Sequence, residues 1–357
     1  MVAAVALRDF RSYSRLDLEL EPGLVLVTGA NGAGKTNLLE SLHVGTQGFS
    51  PRTRIDAQLV RFGQDAARIA LKGDRTGVAL DLEVTLELGS GKRATFNGAK
   101  LRAAEQLRGE VTTLVFTPDR LVVVKGGPAA RRAYFDRVLG RLAPARAGLS
   151  AEYGAAVGQR NAALRRVAQN VSSREALAPW NEQVSRLAAE LVAGRHETVA
   201  ALQPRFGERA AELGLPEGEV RYEGVAPSAE ELEARVQRDL ERGATGVGPH
   251  LDDLGVLSGG RDLRVFGSQG EQRLAVLALL LGEAEELEER RGTRPLLLLD
   301  DVLSELDGDR RSTLAERLRA GGQALVTSAS RGALPGDPSQ TLEVAQRDDG
   351  TSEVQAA

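Results

Sequence analysis

Single alternation of apolar and polar residues marks Leu16–Leu20 and Ala79–Leu88 as strands with one buried face. Leu24–Thr28 (LVLVT) is a wholly apolar run that ends at a glycine loop, Val111–Phe116 is a further strand candidate, and Asn97-Gly98 marks a hairpin turn. From Pro128 the period lengthens. Segments 128–141, 149–170, 180–213 and 228–242 carry apolar residues at helical spacing, with Pro144, Pro179, Pro204, Pro216 and Pro227 as punctuation. Strand character returns at Leu254–Leu257, Leu263–Phe266, Pro295–Leu299 and Gln323–Thr327. Long helices are expected between them, at Glu271–Arg290 and Leu303–Arg319, and the polar residues after about 346 read as a frayed tail. This order predicts an α/β mixed-sheet domain built from residues 1–125 and 246–357 and split by a helical insertion over 126–245.

Composition narrows the chemistry. The chain has no cysteine, which excludes disulfides and thiolate metal sites, and His43, His196 and His250 are too far apart for a ligand-spaced cluster. No run approaches the roughly 18 apolar residues of a membrane helix. The N-terminal MVAAVALRDF lacks the basic lead-in of a secretion signal, so a cytoplasmic protein with no membrane partner is expected. With a net charge of −4, any contact with nucleic acid has to come from local basic clusters.

The chemistry is carried by a few strings. Gly29–Thr36 reads GANGAGKT and fits G-x-x-x-x-G-K-[ST], with an apolar strand before it and a helix after it. In that setting Gly29, Ala30, Asn31, Gly32, Ala33 and Gly34 form a backbone cradle for phosphates, Lys35 contacts the β- and γ-phosphates, and the Thr36 hydroxyl binds Mg²⁺. Leu296–Asp301 reads LLLLDD, an apolar strand ending in an acid, which is the Walker B pattern. Asp300 is expected to hold Mg²⁺ through water, and Asp301 sits where the ABC-type enzymes that this pattern resembles place the carboxylate that polarises the attacking water, usually a Glu. ATP and Mg²⁺ are the cofactors these motifs require.

Ser268–Gln272 (SQGEQ) opens a strong helix and resembles the serine–glycine signature that ABC-type proteins carry at such a place, which implies that Ser268, Gly270 and the first backbone amides bind the γ-phosphate held by a second subunit. A plain helix cap at Ser268 has the same geometry. Leu257–Gly260 spells LSGG, nearer to the familiar signature string, but no helix starts there. It is expected to be a hairpin turn, with Ser268 rather than Ser258 as the signature serine. Ser304–Asp307 (SELD) matches a D-loop, or caps the next helix through Asp307. Thr327-Ser328 stands where a switch histidine is common, and its hydroxyls remain able to bind phosphate or water. Thr117-Pro118-Asp119 offers no Q-loop glutamine.

Together these motifs resemble those of the ABC superfamily, including its SMC-like DNA repair ATPases. Further strings resemble the RecF family: LRDFR at 7–11, GGPAARRAYFD at 126–136, QRNAALR at 159–165, GPHLDD at 248–253 and LLLLDDVLSELD at 296–307. The resemblance implies an ATPase head split by a helical arm, ATP-dependent homodimerisation, and binding of gapped, double-stranded or junction DNA. It also implies weak DNA-stimulated ATPase activity, and work with RecR and RecO to load RecA. SQGEQ, Asp301 and the missing histidine depart from the general ABC pattern and favour a slow switch over a fast motor. A transporter ATPase would usually carry LSGGQ and a Glu after Walker B, and a cohesin-like head would need coiled coils longer than this insertion. Arg131, Arg132, Arg160, Arg165 and Arg166 fall on the early helices of the insertion and are candidate phosphate contacts. A solvated, salt-bridged helix face has the same composition. His250 is expected to be structural.

Overall fold

The computed structural model describes every residue except Thr76, Glu305 and Ala357, so Glu305 of the D-loop-like string lies outside the described residues. The chain forms two compact units, Met1–Arg120 with Arg291–Ala357, and Leu121–Arg290. The first unit starts with β1 (Val2–Phe10), β2 (Tyr13–Glu19), β3 (Leu24–Thr28), α1 (Lys35–Gln47), β4 (Ala66–Arg75), β5 (Val78–Glu87), β6 (Gly91–Phe96), β7 (Ala99–Lys100) and β8 (Thr113–Phe116). The second unit holds α2 (Val122–Lys125), α3 (Pro128–Leu142), α4 (Leu149–Ala168), α5 (Ala178–Glu212), β9 (Glu219–Tyr222), α6 (Ala229–Ala234), α7 (Val236–Arg242), β10 (Leu254–Ser258), β11 (Arg261–Asp262), α8 (Leu263–Phe266) and α9 (Gln269–Arg291). The chain then returns to the first unit with β12 (Leu296–Leu299), α10 (Gly308–Ala320), β13 (Ala324–Ser328), β14 (Gln340–Gln346) and β15 (Ser352–Ala356).

In the first unit, one six-stranded sheet is antiparallel, in the order β2-β1-β4-β5-β6-β7. The other runs β15-β14-β3-β13-β12-β8 and is parallel except at the β14–β15 hairpin. Apolar residues of both sheets and of α1 form one core. Every residue from Leu38 to Gln47 is buried, so this part of α1 has no solvent face. Its polar side chains are buried with partners: His43 Nδ1 lies 2.9 Å from the Phe49 carbonyl, and Gln47 donates to the Val111 carbonyl at 2.8 Å.

The second unit packs α3, α4 and α5 around Leu139, Leu149, Tyr153, Val184, Leu187 and Leu191. A small antiparallel sheet, β11-β10-β9, completes it. α5 runs 35 residues with Pro204 inside it, where a break was expected. The expected helix over 228–242 is two, α6 and α7, meeting at Arg235.

Three expectations need correction. The signature segment and its helix group with the arm, so the second unit extends from 121 to 290 rather than from 126 to 245. Leu263–Phe266 is a helical turn, not a strand. The Asp262 carboxylate accepts from the Arg264 backbone N–H at 2.8 Å, and that cap outweighs the apolar run. The tail after 346 is ordered: β15 pairs with β14 from Leu342↔Ala356 to Gln346↔Ser352. Its one-sided polar pattern is that of an edge strand.

Candidate functional site

β3 leads into the loop Gly29–Gly34, and α1 begins at Lys35 with Gly34 left-handed at its N-cap and no side chain capping it. The start of α1 therefore presents backbone donors and a positive dipole end to the loop's concavity. Two glycines are sterically required. A Cβ on Gly29 (φ +143°) would collide with the Val344 carbonyl, and one on Gly34 (φ +118°) with the Ser352 hydroxyl. The loop is also tied from behind. Ser352 Oγ donates to the Ala33 carbonyl at 2.6 Å, Tyr13 OH to the Gly34 carbonyl at 3.1 Å, and Asn37 Nδ2 to Ser12 Oγ at 2.9 Å.

The loop opens on a cavity of about 510 Å³ lined by Asn31, Lys35, Thr36, Arg52, Pro118, Asp300, Asp301 and Thr327 among others. Lys35 Nζ donates to the carbonyls of Gly29 at 2.7 Å and Ala30 at 2.9 Å. Burial lowers its pKa while Asp300 and Asp301 act the other way. Asp300 directly follows β12, which lies beside β8 on one side and β13 on the other. The Thr36 hydroxyl is 2.9 Å from Asp300 Oδ2. The Thr327 hydroxyl donates to Asp300 Oδ1 at 2.8 Å and accepts the Asp301 N–H at 2.8 Å. Parallel strands β3, β12 and β13 thus bring the phosphate loop, Asp300, Asp301 and Thr327 together at the C-terminal end of one sheet.

Arg52 was not singled out by any motif. It donates from Nη1 to Asn37 Oδ1 and to Glu40 Oε2, both at 3.2 Å. Glu40 is buried in α1 and also receives a bidentate pair from Arg11, both bonds 2.9 Å. The LRDFR string thereby braces the helix behind the loop. Its turn carries left-handed Asp9 (φ +47°) and Arg11 (φ +52°). Where a Q-loop glutamine was sought, Pro118 lines the cavity instead.

In the second unit, Ser268 and Gly270 are exposed at the start of α9. Ser268 Oγ accepts the Glu271 N–H at 3.2 Å, and Glu271 Oε2 accepts the Ser268 N–H at 2.8 Å, a reciprocal capping box. The LSGG string is the β10–β11 hairpin turn, with Gly259 (φ +55°) and Gly260 (φ +72°) left-handed and Ser258 paired with Arg261. Ser258 is buried and donates to the Pro216 carbonyl at 2.7 Å.

A model of the RecF/RecN/SMC N-terminal domain matches residues 1–353. The DNA replication and repair protein RecF of Acidothermus cellulolyticus is 39% identical over 347 residues, which cover 92% of this chain and 93% of that protein. The chain belongs to the RecF family. RecF of Heliobacterium modesticaldum is 35% identical over 332 residues, covering 89% of each. A solved structure of the recombination mediator protein RecF with ATPrS, in the RecFOR pathway, matches with a TM-score of 0.86 at 27% identity, over 100% of this chain and 98% of that one. An Smc head bound to the C-winged helix domain of ScpA matches at a TM-score of 0.63 and 17% identity, over 100% and 97%, which is a likeness of fold. The molecule is thus an ABC-type ATPase head of the RecF kind, a DNA replication and repair protein.

Much of what is particular to RecF in the sequence falls in the second unit and is architectural. Arg131 of GGPAARRAYFD forms a bidentate pair with Asp253 of GPHLDD at 2.7 and 2.5 Å. Arg160 of QRNAALR is wholly buried, bonded to Asp239, Asn181, Thr245 and the Leu232 carbonyl. The expectation that Arg131 and Arg160 contact DNA is therefore corrected: each spends its guanidinium inside the arm, where a buried cation must be paired. Arg132 is half-buried and donates to the Asp252 carbonyl at 2.5 Å. Arg165 and Arg166 are exposed and keep their place as candidates.

His250 joins this network, with Nδ1 2.8 Å from Tyr153 OH and Nε2 3.1 Å from the Thr245 carbonyl. A carbonyl only accepts, so Nε2 carries the proton and Nδ1 accepts from Tyr153. Burial lowers the His250 pKa below its usual 6.5. The folded arm then binds the proton less well than the unfolded chain. This stabilisation is present above about pH 6.5 and is lost as pH falls through the lowered value. Thermal unfolding should show the gap in Tm between the parental chain and His250→Gln shrinking from pH 7.5 to 5.5. A gap independent of pH would contradict it.

Proposed function

We propose that the chain binds ATP·Mg²⁺ in the cavity of the first unit, closes as a homodimer, and grips DNA in that state. Slow hydrolysis then releases it. In the closed dimer each nucleotide is held by Gly29–Thr36 of one copy and by the Ser268–Gln272 helix start of the other. By likeness to RecF of the RecFOR pathway, the DNA-bound dimer works with RecR and RecO to load RecA at gaps, with Arg165 and Arg166 among the phosphate contacts.

The observation that carries this reading is the meeting of the Thr36 hydroxyl, the Asp300 carboxylate and the Lys35 amine at one cavity. Among the described residues no cluster of three or more His, Cys, Asp or Glu forms a metal cage. One hydroxyl and one carboxylate instead suit Mg²⁺, a hard ion that takes few protein oxygens and completes its shell with phosphate and water. When bound, the ion neutralises phosphate charge that would repel an attacking water. Thr36 and Asp300 would hold it, Lys35 would neutralise the terminal phosphates, and the Asp301 carboxylate would orient the water and accept its proton.

The test is DNA binding followed by fluorescence anisotropy over a salt series, with and without a non-hydrolysable ATP analogue. The analogue should tighten binding at least about fivefold, a modest coupling between two sites. The logarithm of the affinity should fall linearly with the logarithm of salt concentration, as it does when phosphates are neutralised. Affinity unchanged by the analogue at every salt concentration would sink the switch.

A further inference from the structure

The carboxylate expected to orient water stands on a strained backbone. Asp301 has φ +50°, in the left-handed region that non-glycine residues rarely adopt. Strain of this kind persists only where neighbours impose it. Here one neighbour is explicit: the Asp301 N–H donates to the Thr327 hydroxyl at 2.8 Å. The same hydroxyl donates to Asp300 Oδ1 at 2.8 Å.

A hydroxyl has one proton. Because Asp301 N–H takes a lone pair of Thr327, the Thr327 proton is directed to Asp300, and the two bonds fix each other's direction. Thr327 is 1% exposed, lies at the inner wall of the cavity as the penultimate residue of β13, and its threonine side chain suits a strand. Its packing would be served as well by valine. What the hydroxyl alone supplies is the link between the two acids. It engages Oδ1 of Asp300 and so fixes the rotation of a carboxylate that faces the Thr36 hydroxyl with both oxygens, Oδ1 at 3.0 Å and Oδ2 at 2.9 Å. It also pins the turn that puts exposed Asp301 on the rim of the cavity.

We propose that Thr327 is the positioning residue of this site, a single buried hydroxyl that orients the metal-side carboxylate and holds the water-side carboxylate in its left-handed turn. Thr327 acts through Asp300 and Asp301. This rests on the reading that the cavity binds and hydrolyses ATP·Mg²⁺. It explains how the site dispenses with a histidine at this strand end: the fixed element is a hydroxyl that does not titrate near neutral pH.

Thr327→Val and Thr327→Ser separate the hydroxyl from the shape. Single-turnover hydrolysis in the Val variant should fall between about 10- and 100-fold, the cost of misplacing a reacting group by a fraction of an ångström to one ångström. The Kd of a fluorescent ATP analogue in the absence of Mg²⁺ should stay unchanged, since the phosphate loop is untouched. The Mg²⁺ concentration that half-saturates the nucleotide complex should rise about tenfold, as it does when a partner of a metal-binding carboxylate is removed. Thr327→Ser should recover most of both losses. Parental turnover in Thr327→Val, a serine variant as slow as the valine one, or loss of metal-free nucleotide binding together with turnover would each overturn the proposal. A parental chain without hydrolysis would overturn the ATPase reading instead. The Mg²⁺ shift would still decide whether Thr327 orients Asp300.

Discussion

Lys35→Ala is expected to lose ATP binding. The Lys35 amine hangs over the loop carbonyls of Gly29 and Ala30 and lies close enough to Asp300 and Asp301 to feel both charges. On the proposed reading a triphosphate replaces those carbonyls as its partner, and the amine becomes the main counter-charge of the terminal phosphates. Removing one member of a desolvated charge pair costs about 2–5 kcal/mol, or about 30- to 5,000-fold in Kd. Calorimetric titration with ATP and Mg²⁺ measures this directly, and ATP-enhanced DNA binding should vanish with it. The fold should survive, because Lys35 is half-buried and its bonds are to loop carbonyls that water can satisfy. Unchanged ATP affinity would contradict the phosphate-loop assignment.

The two acids and the loop were legible in sequence for a physical reason. A phosphate cradle at a helix start and a carboxylate at a strand end are local devices, and local devices leave contiguous strings. What supports them is not local. Ser352 reaches the Ala33 carbonyl across 319 positions, and Ser12 sits between Ser352 and Asn37. These serines stand in stretches with no apolar period, so the tail that carries Ser352 read as frayed. Arg52 escaped notice for the same reason. Its role comes from Glu40, a polar position of a helix that is buried on every side from Leu38 on, so that no apolar period announces its burial.

The arm shows the opposite error. Arginine on a helix gives the same composition whether it faces phosphate or a buried carboxylate, and periodicity does not separate the two. Arg160 is the instructive case. It lies among Tyr153, Ala156, Val157 and Leu164, the buried positions of α4, in the register of the apolar stripe. That register was the available signal, since exposed Arg165 and Arg166 fall outside it. Pairing decides the rest: Asp239, 79 residues away, supplies the charge that makes burial tolerable.

Ser268→Arg should abolish the ATP-dependent dimer while leaving nucleotide binding to the monomer intact. Ser268 and Gly270 belong to the second unit, whereas Lys35, Thr36 and Asp300 belong to the first. A change at 268 therefore spares the half-site that the monomer uses. The proposed dimer is isologous, so one substitution is made twice across the interface. Each copy loses hydrogen bonds to a charged phosphate, worth about 1.5–3 kcal/mol apiece. Two copies give at least about 3 kcal/mol, or at least about 150-fold in dimer affinity. The attraction of arginine for phosphate does not restore this, because its length holds the backbone N–H groups of α9 away from the phosphate they would bind. The lost capping box costs α9 about 1 kcal/mol, and a Tm measurement on the monomer accounts for that. Ser258→Ala is the matched control. It removes only the bond from the hairpin to the distant Pro216 carbonyl, whereas an arginine there would have to be forced into a buried position. Sedimentation with ATP and Mg²⁺ reads all three proteins. Dimers should form in the parental chain and in Ser258→Ala and be absent in Ser268→Arg. If Ser258→Ala abolished the dimer and Ser268→Arg kept it, the phosphate contact would belong to the LSGG turn and the signature would be misassigned.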